Sequence, residues 1–150
     1  MIINYLITNV SANREDEIPS ETQFGISNNI TVTDVEKDER FKILKFKFKF
    51  DAAFTAEESK EIGKVVISGF VIYTGENMDK VYDTWVESKK LDSSVTEEIL
   101  QASLNISILE AMSVAKMLQL PSILPLPKVS ATNESGEHTE HDTTSKKSKK

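Results

Sequence analysis

The chain has 150 residues, a formal net charge of −6 and no cysteine. Its length suits one domain with its own core, its acidic balance disfavours nucleic acid as the main partner, and the lack of cysteine excludes disulfides and thiolate metal sites. No apolar run is long enough to span a membrane, and the N-terminus lacks the features of a signal peptide, so we expect a cytoplasmic protein.

The first third of the chain has the pattern of two strands. Apolar residues recur at alternate positions in Met1–Val10 and in Phe24–Val32. Between them, Ser11–Thr22 is polar and contains a proline, which predicts a loop. Asp34–Arg40 is rich in charge and predicts a turn after the second strand.

Two further strands follow. Leu44–Phe54 alternates large apolar residues with lysines, which predicts one buried face and one solvated face. The lysine row could also be a nucleic-acid stripe, although a solvated sheet face is the commoner origin of such a row. After a connection at Thr55–Gly63, Lys64–Thr74 is apolar on both faces, which indicates burial on both sides. Gly69 within it predicts a bulge or a close backbone approach.

The second half of the chain predicts two helices. Met78–Glu87 has the helical spacing of apolar residues and contains the single tryptophan, Trp85. Val95–Leu120 forms a longer helix, with Ser94 and Glu97 at the spacing of a capping box. Pro121 then ends it, because proline disfavours helical geometry at the preceding residue.

The long helix is apolar on more than one face, so we expect a sheet to cover one side and a second copy or a partner to cover another. An ordinary core helix with a few exposed apolar residues is the alternative. The residues expected at an interface between copies are Ile99, Leu104, Ile106, Ile108, Leu109, Met112 and Met117.

These elements predict an α+β protein, a four-stranded antiparallel sheet with a short helix and a long C-terminal helix on one side. We expect one domain over residues 1–129. Residues 130–150 are polar and predict a disordered tail, because they offer almost no apolar surface to offset the entropy of ordering.

Motifs for catalysis are not found in the sequence. Both histidines, His138 and His141, fall in the predicted tail, and glycine-rich phosphate loops and serine elbows are absent. We therefore expect neither an enzyme nor a cofactor or metal site.

Several segments together resemble the SecB-type export chaperones, and more closely their archaeal and other SecB-like relatives. They are the sheet segments Phe41–Phe54 and Gly63–Tyr73, Trp85 and Asn105 in the helices, and the run from Leu120-Pro121 to Pro125-Leu126-Pro127. The resemblance covers about Met1–Val129. It implies a helix layer used for assembly, dimers that pair into tetramers, and ATP-independent binding of unfolded chains. The bacterial tail binds zinc through cysteines that this chain lacks, so the resemblance does not extend to zinc or to the export motor.

The sequence therefore favours a homo-oligomeric holdase whose partners are unfolded polypeptides bound in apolar grooves. The candidate peptide-binding residues are Phe46, Phe48, Phe50, Phe70, Tyr73, Tyr82, Trp85, Ile123 and Leu124. The sheet phenylalanines could equally be core, and packing over the sheet is the first expectation for Trp85, with a groove wall as the second. A dedicated adaptor or structural subunit with one fixed partner is the alternative, and an enzyme of unrecognised type is a third hypothesis.

Overall fold

A computed structural model describes residues 1–18, 23–56 and 60–121. The elements in chain order are β1 (Ile2–Arg14), β2 (Phe24–Asp38), β3 (Ile43–Ala56), β4 (Lys60–Tyr73), α1 (Met78–Ser88) and α2 (Ser93–Met117). The strands form one antiparallel sheet in the order β1-β4-β3-β2, so β1 and β2 are its edges. Both helices share one core with the sheet. The predicted α+β architecture is confirmed; residues 122–150, including the predicted tail, lie outside the described part.

The large side chains of one face of β3 form the centre of the core. Phe46, Phe48, Phe50 and Phe54 are each at most 1% exposed, while Lys45, Lys47 and Lys49 alternate with them on the other face. This is the pattern that strict alternation predicted. Of the two roles that the sequence left open for these phenylalanines, core and groove floor, the structure places them in the core.

Helix α2 covers this phenylalanine face with a row of small residues. Ser103, Ser107, Ala111 and Ala115 recur every four residues and are all buried. Residues at this spacing lie on one face of a helix, and small side chains let the helix backbone approach the large rings of the sheet. The buried Ser103 hydroxyl donates to the carbonyl of Ile99 at 2.7 Å, which satisfies it inside the core.

The apolar residues of α2 are mostly covered within one chain. Ile99, Leu104 and Ile108 are buried, Met112 is half-buried against the core, and Ile106 is half-buried. Only Leu109 and Met117 of the predicted interface set are well exposed, at 63% and 79%. The burial of most of these residues thus does not require a second copy, and sheet packing accounts for it. Within the described ranges, no helix is long and apolar enough to cross a membrane.

Both ends of α2 differ from the predicted boundaries. The helix begins at Ser93 with Asp92 at the N-cap, so Ser94 lies inside the helix and not at the predicted cap position. It ends at Met117, before Pro121. Gln119 adopts a φ of 55°, its N–H donates to Lys116, and the N–H of Leu120 donates to Ala115 at 2.8 Å. This is a Schellman motif, in which a left-handed residue closes the helix before the proline is reached.

Arg14 attaches this helix end to the sheet. Its Nη1 donates to the carbonyl of Leu118 at 2.8 Å, a group that the helix itself leaves without a partner. The guanidinium at the end of β1 therefore fixes the point where the chain leaves α2.

The strands are longer than predicted. Residues 11–14 continue β1, where a loop was predicted, and Asp34–Asp38 continues β2, where a turn was predicted. The charged residues of β2 pair with the lysine row of β3, since Glu36 lies opposite Lys45 and accepts a salt bridge from Lys47 at 2.8 Å. Opposite charges on neighbouring strands stabilise a sheet. A single sequence window contains only one half of each pair, which is why this segment resembled a turn.

Gly69 lies where β1 comes close to β4. A Cβ at this position would clash with the carbonyl oxygen of Leu6, and the β1–β4 register shifts at this point, between Ile7 and Asn9. The predicted bulge and close backbone approach are both confirmed.

We expect Gly69→Ala to lower the free energy of unfolding by about 3 kcal/mol, because the added methyl group forces β1 away from β4. Chemical denaturation measures the free energy of unfolding of each variant. Ser68→Ala on the opposite face of the strand is the control and should change stability by less than about 0.5 kcal/mol. Equal stability of the two variants would contradict the close approach.

Candidate functional site

Helix α1 and the edge strand β2 border a groove with a volume of about 610 Å³, called here the α1–β2 groove. Its apolar wall consists of Tyr82, Trp85 and Val86 from α1 and Val35 from β2. Charged side chains form its rim: Asp34, Glu36, Lys37, Asp38, Glu39, Lys45 and Lys89. The groove thus has apolar side chains along one wall, while most of its accessible lining is polar and mixed in charge. Among the described residues, the β2 strand that bounds it has no neighbouring strand on its outer side.

Lys37 fixes α1 beside β2. Its Nζ lies 2.9 Å from the carboxylate of Asp79 at the start of α1 and 3.4 Å from that of Glu39, and it stands 5.9 Å from the centre of the Tyr82 ring. The hydrogen bond to Asp79 raises the pKa of the Lys37 ammonium above its ordinary value, and Glu39 adds to the effect. Lys37 therefore stays charged at neutral pH and keeps this contact.

A second recess of about 960 Å³ lies at the end of the sheet and shares Lys37 and Glu39 with the groove. Tyr73 lines it and donates its hydroxyl to Asn77 Oδ1 at 3.2 Å. The N-terminal amine of Met1 closes another side by donating to the carbonyl of Thr74 at 2.7 Å. Some polar groups of this recess thus bond to one another. The groove differs from the recess in having edge strand β2 along one side.

The structure separates the predicted peptide-binding residues into four places. Tyr82 and Trp85 line the α1–β2 groove, and Tyr73 lines the neighbouring recess. Phe70 is half-buried on the opposite face of the sheet, beneath the Lys47 ammonium at 5.7 Å from its ring. The remaining phenylalanines, Phe46, Phe48 and Phe50, are in the core under α2, and Ile123 and Leu124 lie outside the described residues.

Two wall residues of the groove were not predicted. Val35 was assigned to a charged turn, and it becomes a wall residue only because β2 continues to Asp38. Val86 is 53% exposed beside Trp85 and was placed in α1 without a role. Exposed apolar residues next to an aromatic residue on one helix turn are the signal that could have identified it.

Side chains that could hold a metal ion are not clustered in the described ranges, where no group of three or more histidine, aspartate or glutamate residues comes together. The groove itself supplies apolar surface, hydrogen-bond donors and a strand edge. Groups of this kind can bind and orient a ligand and exclude water from it.

Comparison with known proteins supports the fold. No family model matches the chain, and no curated protein sequence matches it. Among solved structures, the chain is similar to the SecB-like chaperone Rv1957 of Mycobacterium tuberculosis, solved in complex with a ChAD peptide from the Rv1956 HigA1 antitoxin. The TM-score is 0.59 at 11% identity, over 88% of this chain and 91% of that one. The chain therefore has a fold similar to that of a SecB-like chaperone.

The fluorescence of the single tryptophan tests the groove geometry. Trp85 is 9% exposed, and Lys89 Nζ stands 5.5 Å from its ring centre. We expect Lys89→Gly to raise acrylamide quenching of Trp85, because it removes this cover while glycine suits the left-handed backbone at residue 89. Lys90→Gly is the matched control and should leave quenching unchanged. Equal quenching in both variants would show that Lys89 does not shield the ring.

Proposed function

We propose that this protein is an ATP-independent holdase that binds unfolded or non-native polypeptides and keeps them from aggregating. The observation that carries the proposal is the α1–β2 groove, where an apolar wall lies beside an edge strand. Extended polypeptides bind such places, since their backbone can pair with the edge while apolar side chains enter the groove. Non-native chains expose both of these features.

The similarity to a SecB-like chaperone solved with a peptide supports the same proposal, although at 11% identity it concerns the fold alone. In the proposed mechanism, Tyr82, Trp85 and Val86 bury apolar side chains of the client. Aromatic residues bury large areas with few rotatable bonds, which limits the entropy lost on binding. Binding and release need no chemical step, so in this proposal the protein acts without enzymatic activity. We also propose that it acts in the cytoplasm.

A dedicated adaptor with one fixed partner is the second candidate. It is favoured by one finding, namely that the similar chaperone was solved with one defined antitoxin peptide. The two candidates differ in the range of sequences bound. A holdase binds many unrelated clients, and an adaptor binds one.

Aggregation suppression tests the proposal. A chemically unfolded protein is diluted into buffer without ATP, and light scattering is recorded with and without this protein. We expect suppression of several unrelated clients near equimolar ratios. Val86→Glu should weaken client binding roughly tenfold, because it places a charge on the apolar wall.

Phe41→Glu is the matched control. Phe41 is 62% exposed and apolar like Val86, but it does not line the groove. The Phe41→Glu variant should suppress aggregation as the wild type does. Equal losses in both variants would contradict the groove as the site, and no suppression by folded wild-type protein would leave the adaptor as the better account.

We also propose that the protein is a homo-oligomer. The exposed apolar residues of the sheet are concentrated on the edge strand β1, and include Ile3, Tyr5, Leu6 and Val10. Leu109 and Met117 of the predicted interface set add exposed apolar surface on α2. An edge strand with exposed apolar side chains favours pairing with another chain.

Size-exclusion chromatography with light scattering measures the assembly. We expect the wild type to elute as a dimer or larger, and Leu6→Lys with Val10→Lys to shift it to the monomer, because lysines on an edge strand oppose pairing. Phe41→Lys, which changes an exposed apolar residue away from β1, should not change the mass. A monomeric wild type would contradict the proposal.

A further inference from the structure

Trp85, which lines the α1–β2 groove, has a buried hydrogen-bond donor without an acceptor. Among the described residues, nothing accepts a hydrogen bond from Trp85 Nε1–H, and this atom is almost fully shielded from solvent. The indole itself is 9% exposed and lines the groove. A buried N–H without an acceptor costs free energy, so an acceptor that reached it would gain the bond and remove that cost.

A second donor lies on the β2 side of the same groove. The backbone N–H of Val35 donates to the carboxylate of Asp34, its own neighbour, at 2.8 Å. Both residues line the groove. Among the described residues, no strand pairs with the outer side of β2. The Asp34 carboxylate therefore occupies a position that the carbonyl of an added strand could take. On the other edge strand, Asn4 Oδ1 accepts from the N–H of Tyr5 at 2.8 Å in the same way.

We propose that two backbone carbonyls of a bound polypeptide accept hydrogen bonds from Trp85 Nε1–H and from the Val35 N–H. Asp34 and Lys89 move aside as the segment enters. This inference rests on the proposed function and specifies how the groove holds its client. Trp85 is then a binding residue through its N–H as well as through its ring, and Asp34 is a competitor of the client.

The movement needed is small, because both covering groups belong to side chains that can rotate. Lys89 is exposed, and its Nζ lies over the Trp85 ring at 5.5 Å from the centre. Asp34 is half-buried at the rim of the groove. Every polypeptide offers backbone carbonyls whatever its side chains, so these two donors suit clients of unrelated sequence.

Substitutions at the two positions, Trp85 and Asp34, should change client affinity in opposite directions. Trp85→Phe keeps an aromatic ring and removes the donor, so it should weaken binding of reduced, carboxymethylated α-lactalbumin roughly three- to tenfold. Asp34→Ala removes the competing acceptor and should tighten binding. Asp34→Asn keeps an Oδ1 acceptor and should bind as the wild type does. Fluorescence anisotropy of labelled α-lactalbumin measures the affinities, and circular dichroism checks that each variant is folded.

The NMR signal of the single tryptophan also tests directly whether its indole N–H gains an acceptor. In a spectrum of ¹⁵N-tryptophan-labelled protein, the one indole N–H signal should move downfield on addition of the same client, as an N–H does when it gains an acceptor.

The outcomes separate the two proposals. If the client binds but the indole signal stays in place and Trp85→Phe binds like the wild type, the inference is overturned and the holdase proposal stands. If Asp34→Asn tightens binding as much as Asp34→Ala, charge and not acceptor competition is responsible, and the role of Asp34 is overturned. If the folded wild type binds no client, the proposed function fails, and this inference fails with it.

Discussion

The structure depends on one contact, the packing of α2 on the phenylalanine face of β3. Each fully buried phenylalanine contributes about 1.5–3 kcal/mol by leaving water, and the four of β3 lie along the middle of the sheet. The small residues of α2 make this contact close, since larger side chains would hold the helix away from the rings. The Arg14 guanidinium and the Schellman turn then fix the end of α2 against the sheet. The positions of both sheet edges follow from this arrangement.

The two edge strands of the sheet, β1 and β2, present different surfaces. Strand β2 is accompanied by α1, which Lys37 holds in place, and the space between them is a groove with an apolar wall. Within the described part of the chain, no helix lies along strand β1 in this way, and several of its apolar side chains are exposed. The pairing of β1 has two register shifts and that of β2 has one. On each of these strands a backbone N–H donates to the side chain of the preceding residue. Such features limit unwanted strand pairing, and they still allow a partner with the right acceptors to bind.

The candidate site could be predicted only in part. Tyr82 and Trp85 were predicted as peptide-binding residues, with packing over the sheet as the other role for Trp85. The structure places both beside the groove, and Trp85 also belongs to the core. The same reasoning included Phe46, Phe48 and Phe50, which lie in the core, because an aromatic residue in a sequence looks the same whether a helix covers it or not. Val35 was missed for a different reason. Its segment carries four charges within five residues, and only the lysines of β3 make it a strand.

Periodicity was sufficient to deduce the class of fold, the four strands, both helices and the buried face of β3. These properties are local, because alternation and helical spacing record which side of each element faces the core. The strand order, the true ends of β1, β2 and α2, and the groove between α1 and β2 were decided by tertiary structure. They depend on pairs of residues far apart in the chain, such as Glu36 with Lys47, Arg14 with Leu118 and Lys37 with Asp79. The free energy of such a pair exists only once folding has brought both members together, so neither local sequence contains it.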